Sequence, residues 1–263
     1  MQPRLAVKSV IVKAWMIGSL LLAGPGQESR GNPASEGDLD TWLSDLGRMN
    51  RPAVMEGAGS HGTWGFHLGA GLHTIPLQAP NPLLGDSMRD GGAPETVMVP
   101  RLHALHGSPW PVDGGVSVGV IPGSDGVQWG GFLQWALYES LGMPALAVRA
   151  HVSRTSGLDH AEIGSSGVDL LMSYGFLRYF SLMAGMGAQM HQVRVTPGQE
   201  TKEDLFINRS GEPLKAITDR RYAWDRYGAL SIRIIPPFTT LAIGRQIPAT
   251  GEAGWAARIS SLF

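Results

Sequence analysis

Apolar and polar residues alternate one by one through most of the chain beyond residue 62. Between residues 63 and 74, one face carries Trp64, Phe66, Leu68, Ala70 and Leu72, and the other carries glycine, threonine and histidine. Successive side chains of a β-strand point to opposite faces of the sheet, so this alternation predicts a strand. The same pattern predicts ten strands, near 62–74, 97–106, 114–121, 127–139, 145–154, 164–175, 178–195, 222–235, 238–246 and 254–263.

The polar face of these strands is rich in glycine, serine, glutamine and histidine, with few of the lysines and glutamates of a water-exposed face. Strands with an apolar outer face and a polar inner face are typical of barrels in a membrane, where every backbone group must be paired. The sequence therefore predicts an all-β protein. Its fold is a closed antiparallel transmembrane β-barrel of about ten strands, preceded by a short N-terminal helical segment.

Eleven polar side chains are predicted to point into this barrel. They are His67, His73, Gln128, Gln134, Arg149, His151, Asp169, Gln189, His191, Arg233 and Arg258. The interior of a ten-stranded barrel is narrow, and buried charges need partners. A structural polar core is therefore favoured over a substrate channel, although all but Gln128 and Gln189 are also candidates for lining a binding site. Asp169 is expected to neutralise one of the three arginines.

The predicted connections differ in length according to the end of the barrel on which they fall. The first and seventh, 75–96 and 196–221, exceed 20 residues, whereas none of the even-numbered connections exceeds seven. Outer-membrane barrels have short periplasmic turns and longer external loops. The parity indicates that the two long connections are external.

Composition and charge narrow the choice of function. The chain has no cysteine, which excludes disulfides, thiolate metal sites and a cysteine nucleophile. Its formal net charge of −1 provides no electrostatic basis for binding nucleic acid. No cofactor and no metal site are predicted.

The N-terminus has the pattern of an export signal. Arg4, Lys8 and Lys13 precede the apolar stretch 14–24, which is too short to span a bilayer. Residues 1–26 are predicted to be a Sec-type signal peptide, followed by a segment at 27–60 and a barrel at 61–263.

Segment 27–60 has apolar residues at helical spacing, namely Leu39, Trp42, Leu43 and Leu46. It could form a periplasmic helix, a plug in the lumen or a helix on the barrel rim. Asn32-Pro33-Ala34 is similar to the Asn-Pro-Ala of the hatch in long-chain fatty-acid transporters. This chain is much shorter than the barrels of that family, and no residue role is transferred.

The last strand carries Trp255, Ala257, Ile259 and Phe263 on one face. It resembles the C-terminal sorting strand of Gram-negative outer-membrane proteins, with Ser261 as a departure from the pattern. The resemblance implies a location in the outer membrane of a Gram-negative bacterium. It also implies outer-membrane lipid and the barrel-assembly machinery as partners, with Trp255, Ile259 and Phe263 as the assembly signal.

Three features could suggest chemistry. Residues 115–119 match the G-x-S-x-G pattern of hydrolases, but they lie within a predicted strand and no helix follows. His103 and His106 would point to opposite faces of a strand. Asp159 and His160 lie in a predicted loop. The chain is therefore predicted not to be an enzyme, and an outer-membrane hydrolase remains the third choice.

Two functions are favoured over an outer-membrane hydrolase. The first is a small barrel with a structural, loop-presenting or narrow-uptake role. The alternative is a transporter of hydrophobic or small polar solutes, in which residues 27–60 act as a plug. In either case a small solute is a candidate partner, and nucleic acid is not.

Overall fold

The computed structural model describes residues 36–52, 55–62, 65–78, 81, 84, 88, 94–140, 142–159, 161–176, 179–195, 217–235, 239–249 and 251–263. Several sequence predictions lie outside these residues: the signal peptide, Asn32-Pro33-Ala34, Trp64, His160 and most of both long connections. No helix in the described part is long and apolar enough to cross a membrane.

One helix and ten strands make up the described structure. They are α1 (Glu36–Met49), β1 (Phe66–Pro76), β2 (Thr96–Gly107), β3 (Val112–Val120), β4 (Val127–Tyr138), β5 (Ala145–Ser156), β6 (Ala161–Phe176), β7 (Phe180–Val195), β8 (Ile217–Ile235), β9 (Thr239–Pro248) and β10 (Gly254–Leu262). Each strand pairs antiparallel with its neighbours in the sequence, and β10 pairs with β1, which closes the barrel. The predicted fold class and strand number are confirmed.

The two faces of the wall differ as the alternation predicts. In β5 buried and exposed positions alternate along the strand. Val152 is 54% exposed on the outside, whereas Arg149 is 2% exposed on the inside. Across the register of β5 and β6, Arg149 lies opposite Asp169, so polar side chains of neighbouring strands share the interior. The wall is thus apolar outside and polar inside, with no sheet edge left unpaired.

The two ends of the barrel are distinguished by their connections. The turn end holds the connections 108–111, 139–144, 177–179 and 236–238, and the loop end holds 77–95, 121–126, 157–160, 196–216 and 249–253. The N–H of Phe263 donates to the carbonyl of Phe66 at the turn end (2.8 Å), so the last strand ends where the first begins.

Helix α1 lies inside the mouth of the loop end. Its apolar residues Leu43, Leu46 and Met49 are almost fully buried among side chains at the loop ends of the strands. These partners are Ile75, Val97, Val99, Ile121, Leu158, Ala161, Ile163, Val193 and Val195. Burial of one large apolar side chain contributes about 1.5–3 kcal/mol of transfer free energy, which favours this position of the helix.

After α1 the chain runs along the lumen to the turn end and enters β1 there. Near the loop end, Asn50 bonds to β5 and β6. At the turn end, the N–H of Ser60 donates to Glu139 (3.1 Å) and that of His61 donates to Asp113 (2.9 Å). We call residues 36–52 and 55–61 the luminal segment.

Candidate functional site

The luminal segment is bonded to the wall on several sides. The amide of Asn50 donates to the carbonyls of Ser153 in β5 (3.1 Å) and Ile163 in β6 (3.2 Å). The guanidinium of Arg101 in β2 donates to the carbonyl of Arg51 (2.7 Å). These strands lie on separate parts of the closed sheet, so the segment occupies the lumen rather than lying against one wall.

Arg51 is the cation at the centre of the first polar cluster. It donates to Asp169 in β6 (2.8 Å) and forms an ion pair with Asp225 in β8. Asp169 also bonds to His151 (3.1 Å), and Asp225 accepts from Gln189 (2.6 Å). All five side chains are at most 3% exposed. Because an unpaired buried charge is costly, each carboxylate depends on Arg51 for charge compensation.

The prediction that Asp169 neutralises one of the three arginines of the inward set was wrong. Asp169 forms its ion pair with Arg51 of the luminal segment, not with Arg149, Arg233 or Arg258. Arg149 lies beside Asp169 in the register, but its guanidinium is directed to Gln134 and Glu56. Arg233 has an inward position in β8, and its side chain is exposed at the turn end.

Glu56 is the anion of a second cluster with the opposite polarity. Arg149 in β5 donates to one carboxylate oxygen (3.0 Å), and Arg258 in β10 pairs with the other. Burial opposes ionisation of Glu56, but the charges of Arg258 and Arg149 outweigh it and hold the pKa of this carboxyl below its usual value. The segment and the wall therefore form ion pairs of both polarities: Arg51 of the segment pairs with wall carboxylates, and Glu56 of the segment pairs with wall arginines.

A third ion pair lies within α1. Arg48 donates to Asp45 (3.1 Å), and it also donates to the carbonyl of Glu252 (2.6 Å). Burial raises the pKa of Asp45 despite the hydrogen bonds that it accepts from Gln78 and Arg48. This pair joins the helix to the connection between β9 and β10.

The histidines predicted to face inward lie at different heights. The Nδ1 atom of His191 is 2.8 Å from the hydroxyl of Ser165. His73 is 3% exposed and lies beside the cluster around Glu56. His67 is nearer the turn end, where its ring lies edge-on to that of His61 at 4.7 Å between centroids. No group of three or more His, Asp or Glu among the described residues could hold a metal ion.

The predicted inward set is therefore divided by the structure. Arg149 and Arg258 meet at Glu56, and Gln134 joins them by its bond to Arg149. Asp169 pairs with Arg51, and His151 joins them by its bond to Asp169. His67, His191 and Arg233 belong to neither cluster.

A cavity of about 50 Å³ adjoins Glu56. Its polar lining includes Arg101, Arg149, Arg258, His103 and Ser117. A single water requires roughly 10–15 Å³ of such volume, so the cavity has room beyond the groups that fill the site.

The outer face carries the remaining predicted residues. The side chains of Trp255 and Ile259, on the outside of β10, and of Phe263, which follows β10, are each at least half exposed. The exposed aromatics Trp129 and Trp135 lie on the same face of β4. Contiguous exposed apolar surface of this extent is typical of a membrane or protein interface.

The features considered for catalysis are separate in the structure. Ser117 lies within β3, so the G-x-S-x-G pattern forms no strand-to-helix turn. His103 is partly buried and His106 is exposed on the opposite face of β2. Asp159 is exposed in the connection between β5 and β6.

Sequence reasoning missed Arg51, Glu56, Arg101 and Asp225. Arg101 and Asp225 lie at inward positions of strands, outside the predicted inward set. Arg51 and Glu56 belong to no periodic element. A usable signal was present: they are the only Lys, Arg, Asp or Glu residues between Met49 and Phe66, and they have opposite charges.

No protein-family model and no curated protein matches the chain. Among solved structures, the chain is similar to an outer membrane channel from Pseudomonas putida F1, with 12% identity and a TM-score of 0.48. That match covers 80% of this chain and 100% of the other. It is also similar to a loop-deletion mutant of the Vibrio cholerae outer membrane protein OmpT, with 8% identity, a TM-score of 0.31 and coverages of 64% and 54%. The closed sheet of ten antiparallel strands and its two unlike faces give the chain the fold of Gram-negative outer-membrane β-barrels.

Proposed function

We propose that the chain is a narrow-uptake channel of the outer membrane, closed by its own luminal segment. The membrane location is supported by the outer face, where leucine, valine, isoleucine and tryptophan are exposed on successive strands. In water such a surface would be a large aggregation liability, whereas in lipid it is the required exterior. Export by residues 1–26 and assembly through the C-terminal strand belong to the same proposal.

The observation that carries the channel proposal is the set of ion pairs of both polarities between the luminal segment and the wall. Arg51 pairs with Asp169 and Asp225, and Glu56 pairs with Arg149 and Arg258. A permanently filled core is often as stable, or more stable, with apolar residues in place of buried ion pairs. When the segment moves, water can replace the polar contacts that it makes with the wall. This lumen is therefore suited to a segment that blocks the channel reversibly.

A closed, loop-presenting barrel is the second candidate. It is supported by the lumen itself, in which the cavities found beside the segment are small. In that case the long connections 77–95 and 196–216 would carry the function, and the ion pairs would be static.

Conductance in planar bilayers separates the two functions. We expect the refolded wild-type protein to be closed for most of the time with brief openings. Glu56→Gln should increase the open fraction, because Arg149 and Arg258 lose the carboxylate that holds the segment. Glu162→Gln is the matched control, since this glutamate pairs with Arg154 on the exposed outer face.

The channel proposal fails if wild type and Glu56→Gln are both silent while both show the heat-dependent gel mobility of a folded barrel. That result would favour the closed, loop-presenting barrel.

A further inference from the structure

Arg149 is held mainly by the wall. Its Nε and Nη2 atoms donate to Oε1 of Gln134 (3.1 and 2.6 Å), and its guanidinium lies over the ring of Phe132, 4.3 Å from the centroid. Gln134 and Phe132 both belong to β4. The remaining atom, Nη1, is directed to Glu56. Gln134 also donates to the carbonyl of Gly57 in the luminal segment (2.9 Å). If the segment moved, Arg149 would still have its contacts with Gln134 and Phe132 and would present Nη1 to the lumen.

Arg258 and Arg101 depend on the segment. In the described part of the chain, Arg258 pairs with Glu56 and donates to the carbonyl of Met55 (3.1 Å). Arg101 donates to the carbonyls of Arg51 and Met49 (2.7 and 3.1 Å). Movement of the segment would therefore leave two more guanidinium groups without these acceptors.

The cavity beside Glu56 is rich in donors and poor in anions. The Nε atoms of Arg101 and Arg258 and Nε2 of His103 are buried without a hydrogen-bond partner among the described residues. All three side chains line this cavity together with Arg149, and Glu56 is the one carboxylate among the described residues of its lining. Three arginines around one carboxylate leave an excess of positive charge at a place that has room for additional atoms.

We propose that Arg149 and Arg258 form a carboxylate-binding site of the lumen, which Glu56 occupies in the closed state. A solute bearing a carboxylate takes the place of Glu56 when the segment moves, and Arg101 provides a further cation close by. This inference rests on the proposed channel function and specifies the solute class. Guanidinium groups suit it because their planar donors match the two oxygens of a carboxylate.

The wall carboxylates have hydrogen-bond partners of their own in the wall. When Arg51 leaves, Asp169 keeps its bond to His151, and Asp225 keeps those to Gln189 (2.6 Å) and Gln246 (3.2 Å). These acceptors stay hydrogen-bonded in β6 and β8, whereas Arg149 loses Glu56, and Arg101 and Arg258 lose the acceptors that the segment provides.

The test is chemical rescue of the Glu56→Gln protein by acetate, read as the temperature at which the folded gel mobility is lost. At equal ionic strength, acetate should raise this temperature by several degrees relative to chloride. The wild-type protein should respond much less, because Glu56 fills the site. The double variant Glu56→Gln/Arg149→Gln should lose the response, and acetamide should not replace acetate.

Equal responses to acetate and chloride in Glu56→Gln would overturn the proposal, as would an acetate response that persists in the double variant. If Glu56→Gln does not fold in chloride, its refolding yield is measured instead. Recovery with acetate and not with acetamide supports the site, and no recovery with either overturns it. This readout needs no conductance, so a silent bilayer would overturn the channel function without deciding the binding site.

Discussion

Arg51 lies between two carboxylates that have left water completely. Removal of one partner of a buried ion pair costs about 3–5 kcal/mol, because the remaining charges stay uncompensated. We therefore expect Arg51→Met to lower the free energy of unfolding by about that amount. Urea unfolding of the protein in lipid vesicles would measure it.

The matched control for this substitution is Arg154→Gln. Arg154 donates to Glu162 at 3.2 Å with both side chains about half exposed, and such pairs contribute about 0–1 kcal/mol. A loss for Arg51→Met as small as that of the control would contradict the role of Arg51. Partial recovery on adding Asp225→Asn would support it.

Glu56 makes stability depend on pH with a definite sign. Its pKa is lowered from 4.5 in the folded protein, since Arg258 and Arg149 outweigh the effect of burial. The unfolded chain therefore binds the proton first as the pH falls. The stabilisation by Glu56 is complete well above pH 4.5 and decreases as the pH falls below that value towards the folded pKa.

We expect Glu56→Gln to be less stable than wild type at pH 7 and to lose less of its remaining stability between about pH 5 and pH 3. The temperature at which folded gel mobility disappears, measured across this range, checks the difference. Parallel pH curves for the two proteins would show that the carboxylate contributes nothing.

At the scale of elements, the alternation predicted all ten strands, because each residue of the wall faces either apolar surroundings or a polar interior. The strand ends were less well predicted. β8 begins at Ile217, five residues before the expected start, in a charged stretch where alternation gives little signal.

The contacts of the luminal segment could not be predicted in this way. Arg51 meets partners 118 and 174 residues away in the sequence, and the segment after α1 has no period to orient its side chains. The opposite charges of Arg51 and Glu56 were visible, but their partners depend on the height at which the segment lies in the barrel.

Gly47 sets how closely α1 approaches the wall. A Cβ atom at this position would lie 2.7 Å from Cγ of His191 in β7, which is too close without movement. We expect Gly47→Ala to displace α1 or His191, at a cost of about 1–3 kcal/mol, and to increase the open fraction in bilayers. Unfolding in vesicles and conductance measure the two effects.

Gly175→Ala is the control for this change, because a Cβ there would meet its nearest neighbour at 3.9 Å, an ordinary contact. Similar behaviour of the two variants would contradict close packing of α1 against β7.

At the scale of the whole molecule, closure of the barrel depends on the pairing of its first and last strands. Phe263 extends this pairing by donating to Phe66, while its side chain is 72% exposed on the outside. We expect Phe263→Ser to reduce the amount of protein assembled in outer membranes. Trp110→Ser, which removes an equally exposed aromatic at the same end, should reduce it much less.

The central claim is that the luminal segment blocks the channel through the barrel. A disulfide between the segment and the wall can test it directly. A Cβ at Gly57 would lie 3.6 Å from Cβ of Ser173 in β6, within the range of about 3.5–4.5 Å found in disulfides. The chain has no cysteine of its own, so Gly57→Cys with Ser173→Cys introduces a single pair of thiols. The two single variants are controls for effects of the substitutions themselves.

The decisive measurement is the bilayer conductance of this double variant when oxidised, and again after a reductant is added. We expect the cross-link to form in the assembled protein, the oxidised channel to stay closed, and reduction to restore its openings. An oxidised, fully cross-linked protein that conducts as well as the reduced one would contradict the claim.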